Sequence, residues 1–338
     1  MDISKNFSVL VLVLGLVLAG TSCSEDDTAM TDNGGTDTSS YSGTGSVTQG
    51  AATTTVTNLF SDGQRVAGLG TITSTDDTEW TVPADVNFTD NSFPFASDLY
   101  NSYGTKYNST SEALAALDGS DIIEIDANGE VITGFIFADN YFELFVNGTP
   151  VGKDAVPFTD FNSHVVRFRV ERPFTIAMKL VDWEENLGLG SEDQATPYHP
   201  GDGGMVAMFQ DAQAATIAIT DASWTAQTYY TAPIQDLTCL TEDGTSRLSG
   251  SCSSADATDG SGFYGIHWDL PSDWMNESFD DSGWPAATTY SNDEIGVNNK
   301  ESYTKFTDVF DHATSDAQFI WSTNVVLDNE VIVRYTVD

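Results

Sequence analysis

From Val131 to Val337, segment after segment of this chain repeats apolar side chains at every second residue, and that period constrains the fold more than any other feature. A strand sends alternate side chains to opposite faces, whereas a helix brings residues three and four apart onto one face. In Tyr141–Val146, Phe142, Leu144 and Val146 share one face, and Tyr141, Glu143 and Phe145 share the other. Asn147-Gly148 follows at once, a dipeptide suited to a hairpin turn whose two central residues both have positive φ. His164–Val170 sets Val166, Phe168 and Val170 against Arg167 and Arg169, and Phe174–Val181 aligns Ile176, Met178 and Leu180. Val331, Val333, Tyr335 and Val337 oppose Ile332, Arg334 and Thr336, while Met205–Phe209 and Thr216–Thr220 are shorter candidates. One helix is expected at Glu112–Leu117, where Ser109 and Glu112 have the spacing of a capping box. The expected fold is an all-β jelly-roll sandwich with long loops and a minor helix. Residues 56–338 form its body, with the patterned core in 126–338 and little legible pattern in 56–125.

The N-terminus carries a different signal. Lys5 precedes an apolar run from Val9 to Ala19, too short to span a bilayer and suited to an export signal over residues 1–22. The small residues before Cys23 resemble the lipobox of bacterial lipoproteins, although Gly20 stands where that pattern has Leu. Ser24-Glu25-Asp26-Asp27 is similar to the acidic tag of Bacteroidetes-type surface lipoproteins. The resemblance implies lipid on Cys23 and an outer-membrane or cell-surface location; the alternative is an ordinary secreted protein cut nearby. Residues 23–55, rich in Ser, Thr, Gly and Asp, read as a flexible tether.

A net charge of −39, from 12 Lys and Arg against 51 Asp and Glu, argues against nucleic acid as a partner. It also argues against an anionic membrane surface beyond the lipid anchor. Salt or bound calcium would relieve the self-repulsion, and general surface acidity needs neither. With Cys23 set aside, Cys239 and Cys252 form an even pair in an exported chain and are expected to be bonded.

Two segments resemble the galactose-binding-like jelly-roll domains attached to many glycoside hydrolases. Phe135–Val151, FIFADNYFELFVNGTPV, is similar to their strand pair ending in an Asn-Gly hairpin. Trp274–Thr288, WMNESFDDSGWPAAT, resembles a stretch in which Asp and Ser bond a turn and Trp packs under the sheet edge. Phe319–Arg334 resembles the aromatic strand that follows. In those domains the FDDSxW turn precedes the hairpin, and here the order is reversed, which puts transfer of ligand positions in doubt. Either two sandwiches each show half the pattern, or one sandwich is threaded in permuted order, the reading favoured because Gly190–Tyr264 holds too few patterned strands to complete two domains.

The richest polar cluster is Asp182-Trp183-Glu184-Glu185, followed by His199-Pro200-Gly201-Asp202-Gly203-Gly204. It falls just past a strand, where the loops of a sandwich collect. Asp182, Glu184 and Asp202 supply oxygen ligands suited to calcium. Asp182, Glu184, Glu185, His199 and Asp202 also suit holding a sugar, with Trp183 stacked on its ring, and a carboxylate pair suits acid/base catalysis. The plain alternative is that the Gly and Asp residues shape turns and Trp183 is core. Asp256 to Gly260 is too sparse for a calcium loop, and Asp126 to Glu130 reads as a hairpin turn. The four histidines show no zinc spacing, and neither a G-x-S-x-G elbow nor a phosphate loop occurs. The expected function is therefore a non-catalytic binding or adhesion module on a surface lipoprotein, with carbohydrate as the candidate ligand. A polysaccharide-active enzyme and a structural surface protein are the alternatives.

Overall fold

The computed structural model describes residues 40–63, 65–158, 160–183, 200–255 and 263–338. The expected leader, Cys23, Glu184, Glu185, His199 and the stretch Asp256 to Gly260 lie outside these residues. The body is an all-β sandwich with minor helix, built from two facing antiparallel sheets. In chain order, β1 (Ser46–Gln49) joins the first sheet, and β2 (Glu79–Val82) completes a small sheet with Thr53–Val56 and Leu69–Thr73. β3 (Glu130–Asp139) belongs to the second sheet, and β4 (Tyr141–Val146) and β5 (Thr149–Lys153) to the first. The chain then crosses back and forth through β6 (Ser163–Val170, second), β7 (Phe174–Val181, first) and β8 (Gly204–Gln210, second). β9 (Thr225–Ile234) and β10 (Tyr264–His267) return to the first sheet, β11 (Phe319–Trp321) to the second and β12 (Asp328–Val337) to the first. The first sheet reads β1-β10-β9-β12-β7-β4-β5, and the second reads Thr288–Tyr290, β11, β8, β3, β6, Ser97–Tyr100.

The inner faces are the apolar alternations of the sequence. Val146, Leu144 and Phe142 of β4 stand opposite Ile176, Met178 and Leu180 of β7. The two sheets meet in pairs such as Phe168 with Phe174, ring centroids 5.8 Å apart. Each such side chain contributes about 1.5–3 kcal/mol by leaving water. The hairpin between β4 and β5 has the expected turn, with φ of 49° at Asn147 and 79° at Gly148. The helix runs over Thr110–Ala116, two residues earlier than expected at its start. Its Ser109 hydroxyl accepts from the Glu112 N–H at 3.2 Å, and Glu112 reaches back to the Asn108 N–H at 2.9 Å.

Both sheets are covered on their outer faces as well. Helical turns Glu301–Thr304 and Thr307–Phe310 cover the second, with Tyr303 6.0 Å from Phe137. Irregular segments 83–96 and 268–287 cover the first. Cys239 and Cys252 are bonded and pack against this outer layer.

Two readings of the sequence need correction. The tether does not extend to residue 55, because β1 lies within it, pairs with β10 and buries Val47 and Thr48. Its Ser/Thr composition hid a short strand whose two central residues, Val47 and Thr48, are buried. Phe319–Arg334 is two strands in opposite sheets, β11 and β12, rather than one. The segments Phe135–Val151 and Trp274–Thr288 are in direct contact: Phe145 of β4 meets Trp274 edge-to-face at 5.2 Å. β4 and β12 flank β7 in a single sheet.

Candidate functional site

The outer face of the first sheet carries the residues between those that fill the core. Across β5, β4 and β7 the pairing register sets Lys153, Glu143 and Lys179 in a row. Glu330, at the start of β12, stands one step along from Lys179. All four belong to strands that are buried on both sides, so each charge needs a partner. Lys179 Nζ lies 3.1 Å from Glu330 Oε1 and donates to the Asp85 carbonyl at 2.6 Å. Glu143 accepts from the Asn87 N–H, from Asn87 Nδ2 at 2.8 Å and from the Tyr141 hydroxyl at 3.0 Å. Lys153 donates to the carbonyls of Asn87, Phe88 and Asp90 at 2.7, 2.8 and 2.7 Å. These bonds tie segment 85–90 to the sheet.

Burial raises the Glu330 carboxyl above its ordinary range, Glu143 and Asp85 push the same way, and Lys179 opposes them. Burial would lower the Lys179 ammonium, but Glu330, Glu143 and Asp85 together hold it above its ordinary value. Both directions follow from burial and from three carboxylates gathered around one lysine in a medium of low dielectric.

A cleft of about 360 Å³ opens above this floor. β2 and residues Asp85 and Asn87 form one wall, and Trp268, Leu270, Pro271, Trp274 and Met275 form the other; Phe145, Tyr229 and His267 complete it. Its rings are held in place. Trp80 stacks on His267, centroids 5.0 Å apart and planes within 9°, and His267 stacks on Tyr230 at 4.2 Å. Burial pushes the His267 imidazole down to about 3, so it is neutral. The Arg247 guanidinium lies 4.6 Å from the rings of both Tyr229 and Trp268. Arg334 anchors the far wall: it pairs with Asp281 at 3.0 Å and donates to the carbonyls of Trp274 and Asn276. The Asp and Ser of FDDSGW do bond a turn, Ser282 N–H to Asp280 at 3.1 Å.

The described members of the cluster expected from sequence, Asp182, Trp183 and Asp202, lie elsewhere, at one end of the sandwich. Asp182 follows β7, is fully buried, and its N–H bonds the Asn329 carbonyl at 2.9 Å. Trp183 is fully buried as well; its indole donates to the Gly68 carbonyl at 2.7 Å and its ring meets Tyr141 edge-to-face at 5.8 Å. A ring so enclosed packs, and presents no face for a sugar. Asp202 is half-buried on the approach to β8. β7 and β8 pair with the strands that meet at the Asp139–Asn140 corner, which brings Asp182 and Asp202 to the same end. Among the described residues no group of three or more His, Cys, Asp or Glu could hold a metal ion.

Sequence reasoning therefore missed Glu143, Lys179, Glu330, Trp80, Trp268 and Trp274. The available signal was a charged residue inside each of two strongly apolar strands, Glu143 in YFELFV and Lys179 in FTIAMKLV. Comparison with family models, with curated proteins and with solved structures yields no match to this chain.

Proposed function

We propose that the protein is a glycan-binding module whose ligand occupies the aromatic cleft on the outer face of the first sheet. One observation carries the reading. Trp80, Trp268 and Trp274 surround a cleft whose floor presents the buried side chains of Glu143, Lys179 and Glu330. Sugars offer both apolar ring faces and rings of hydroxyls, so the fitting receptor combines fixed aromatic planes with a few convergent polar groups. The volume lies near the lower end of the roughly 300–1,000 Å³ common for small-molecule sites, which suits a short stretch of a glycan chain. Rings already pinned by Arg247, His267 and Phe145 lose little freedom on binding. In this reading the module is displayed at a cell surface through lipid on Cys23, and an acylated Cys at the native N-terminus, seen by mass spectrometry, tests that part.

The binding test is a glycan array followed by calorimetry on the purified protein and on Trp80→Ala. Trp80 is half-buried, so the variant is expected to fold with a near-native melting curve and to lose at least tenfold in affinity. Equal affinity in the variant, or no glycan bound by the native protein, overturns the reading.

A further inference from the structure

We infer that the cleft selects a glycan bearing protonated amines, a glucosamine-type chain, and rejects uronate or sulfated glycans. The inference rests on the glycan-binding reading and concerns which glycan.

The argument starts from the donors and acceptors that the cleft presents. Among the described residues four carboxylates line it, Glu143 and Glu330 on the floor and Glu79 and Asp85 at the exposed rim, and one cation, Lys179. Its ammonium is already held between Glu330 and the Asp85 carbonyl. The next cation along the floor, Lys153, is turned into the three carbonyls of segment 87–90. Arg247 and Arg334 stand behind the aromatic walls, stacked on Tyr229 and Trp268 and bonded to Asp281. His267 is neutral, for the reason already given.

A carboxylate or sulfate entering this cleft would therefore face carboxylates without a released guanidinium or ammonium to receive it. Each positive group serves an internal acceptor, and freeing one would strand a buried acid. An ammonium meets the opposite conditions. The carboxylates of the rim and of Glu330 can accept from it, and the half-buried Trp80 ring adds an indole that attracts cations. The charge of −39 on the chain adds a long-range field of the same sign, which steers cations toward the surface and anions away. Burial, Glu143 and Asp85 all hold Glu330 toward its protonated form, and a bound ammonium would relieve the repulsion that does so.

The experiment compares four oligosaccharides of equal length by calorimetry: β-1,4-linked glucosamine, its fully N-acetylated counterpart, β-1,4-linked glucose and galacturonate. The N-acetylated chain keeps the backbone and removes the charge. The inference predicts tightest binding of the glucosamine chain, a loss of at least tenfold on acetylation, no detectable binding of galacturonate, and weakening of the preference by salt. The Glu79→Gln/Asp85→Asn variant changes two exposed positions and is expected to fold normally. It should lower the ratio of affinity for the free-amine chain to affinity for the acetylated chain severalfold. Equal or tighter binding of the acetylated or glucose chain overturns the inference and leaves the glycan reading standing. Failure of all four to bind overturns both.

Discussion

The two faces of the first sheet are made by the same strands and both are buried, yet they are held by different physics. On the inner face Phe142, Leu144, Ile176, Met178, Val331 and Val333 interlock with the second sheet, and each could be exchanged for another apolar residue of like volume at modest cost. On the outer face Glu143, Lys179, Glu330 and Arg334 stand one residue away along the same strands, and each depends on a partner that the chain supplies from far off in sequence. Volume and hydrophobicity define the inner face, whereas specific pairs define the outer one. That difference makes the outer face suited to recognition, since a polar surface built pair by pair can discriminate among ligands.

The largest effect should come from stranding a charge. Lys179→Ala leaves Glu330 buried without its cation and is expected to cost about 3–5 kcal/mol in urea denaturation. Replacing both members, Lys179→Met with Glu330→Leu, should recover most of that loss; if it does not, the pair is not what stabilises this face. On the inner face, Leu144→Ala should cost about 2–5 kcal/mol through transfer and cavity terms, and no second substitution on a neighbouring strand should repair it.

The disulfide belongs to the outer layer. Replacing Cys239 and Cys252 by Ala should lower stability by about 3 kcal/mol, the chain-entropy value for a loop of this size. A change near zero would mean that the layer holds its shape through packing alone.

A smaller effect distinguishes the faces by pH. His267 sits in the outer layer and stays neutral down to about 3, below its ordinary value of 6.5. Between those values the unfolded chain binds a proton there that the folded chain does not, so stability is full above pH 6.5 and falls as pH drops. The loss from pH 6.5 to 5 should be roughly 2 kcal/mol for this group. Buried His164 works in the opposite direction: burial disfavours its charge, but Asp154 at 3.0 Å and Asp98 hold it above the ordinary value. The measurement is therefore the difference between the native protein and His267→Phe across that range. A difference independent of pH contradicts a buried neutral imidazole.

The inner face was legible in the sequence and the outer face was not. The limits of Tyr141–Val146 and Phe174–Val181 follow from alternation alone, and Asn147-Gly148 marks the hairpin between β4 and β5 without help from tertiary structure. Glu143 and Lys179 obey the same alternation, but a charge on the second face of a strand ordinarily points to water. Their burial comes from segments 83–96 and 268–287, which have no period, and their pairing comes from a register that no local pattern encodes. Trp80 sits in the stretch where the sequence showed little pattern. At Asp182 and Trp183 the end of a strand was placed correctly, while the side chains turn inward. A Trp among acids looks like a site in one dimension, and the indole bonded to Gly68 shows it to be core.

The central claim is that ligand binds on the outer face of the first sheet. A crystal structure of the protein with a bound oligosaccharide tests it most directly. The account predicts sugar density above Lys179 and Glu330, between Trp80 and Trp274. Sugar bound instead beside Asp182 and Asp202, at the end of the sandwich, would contradict it.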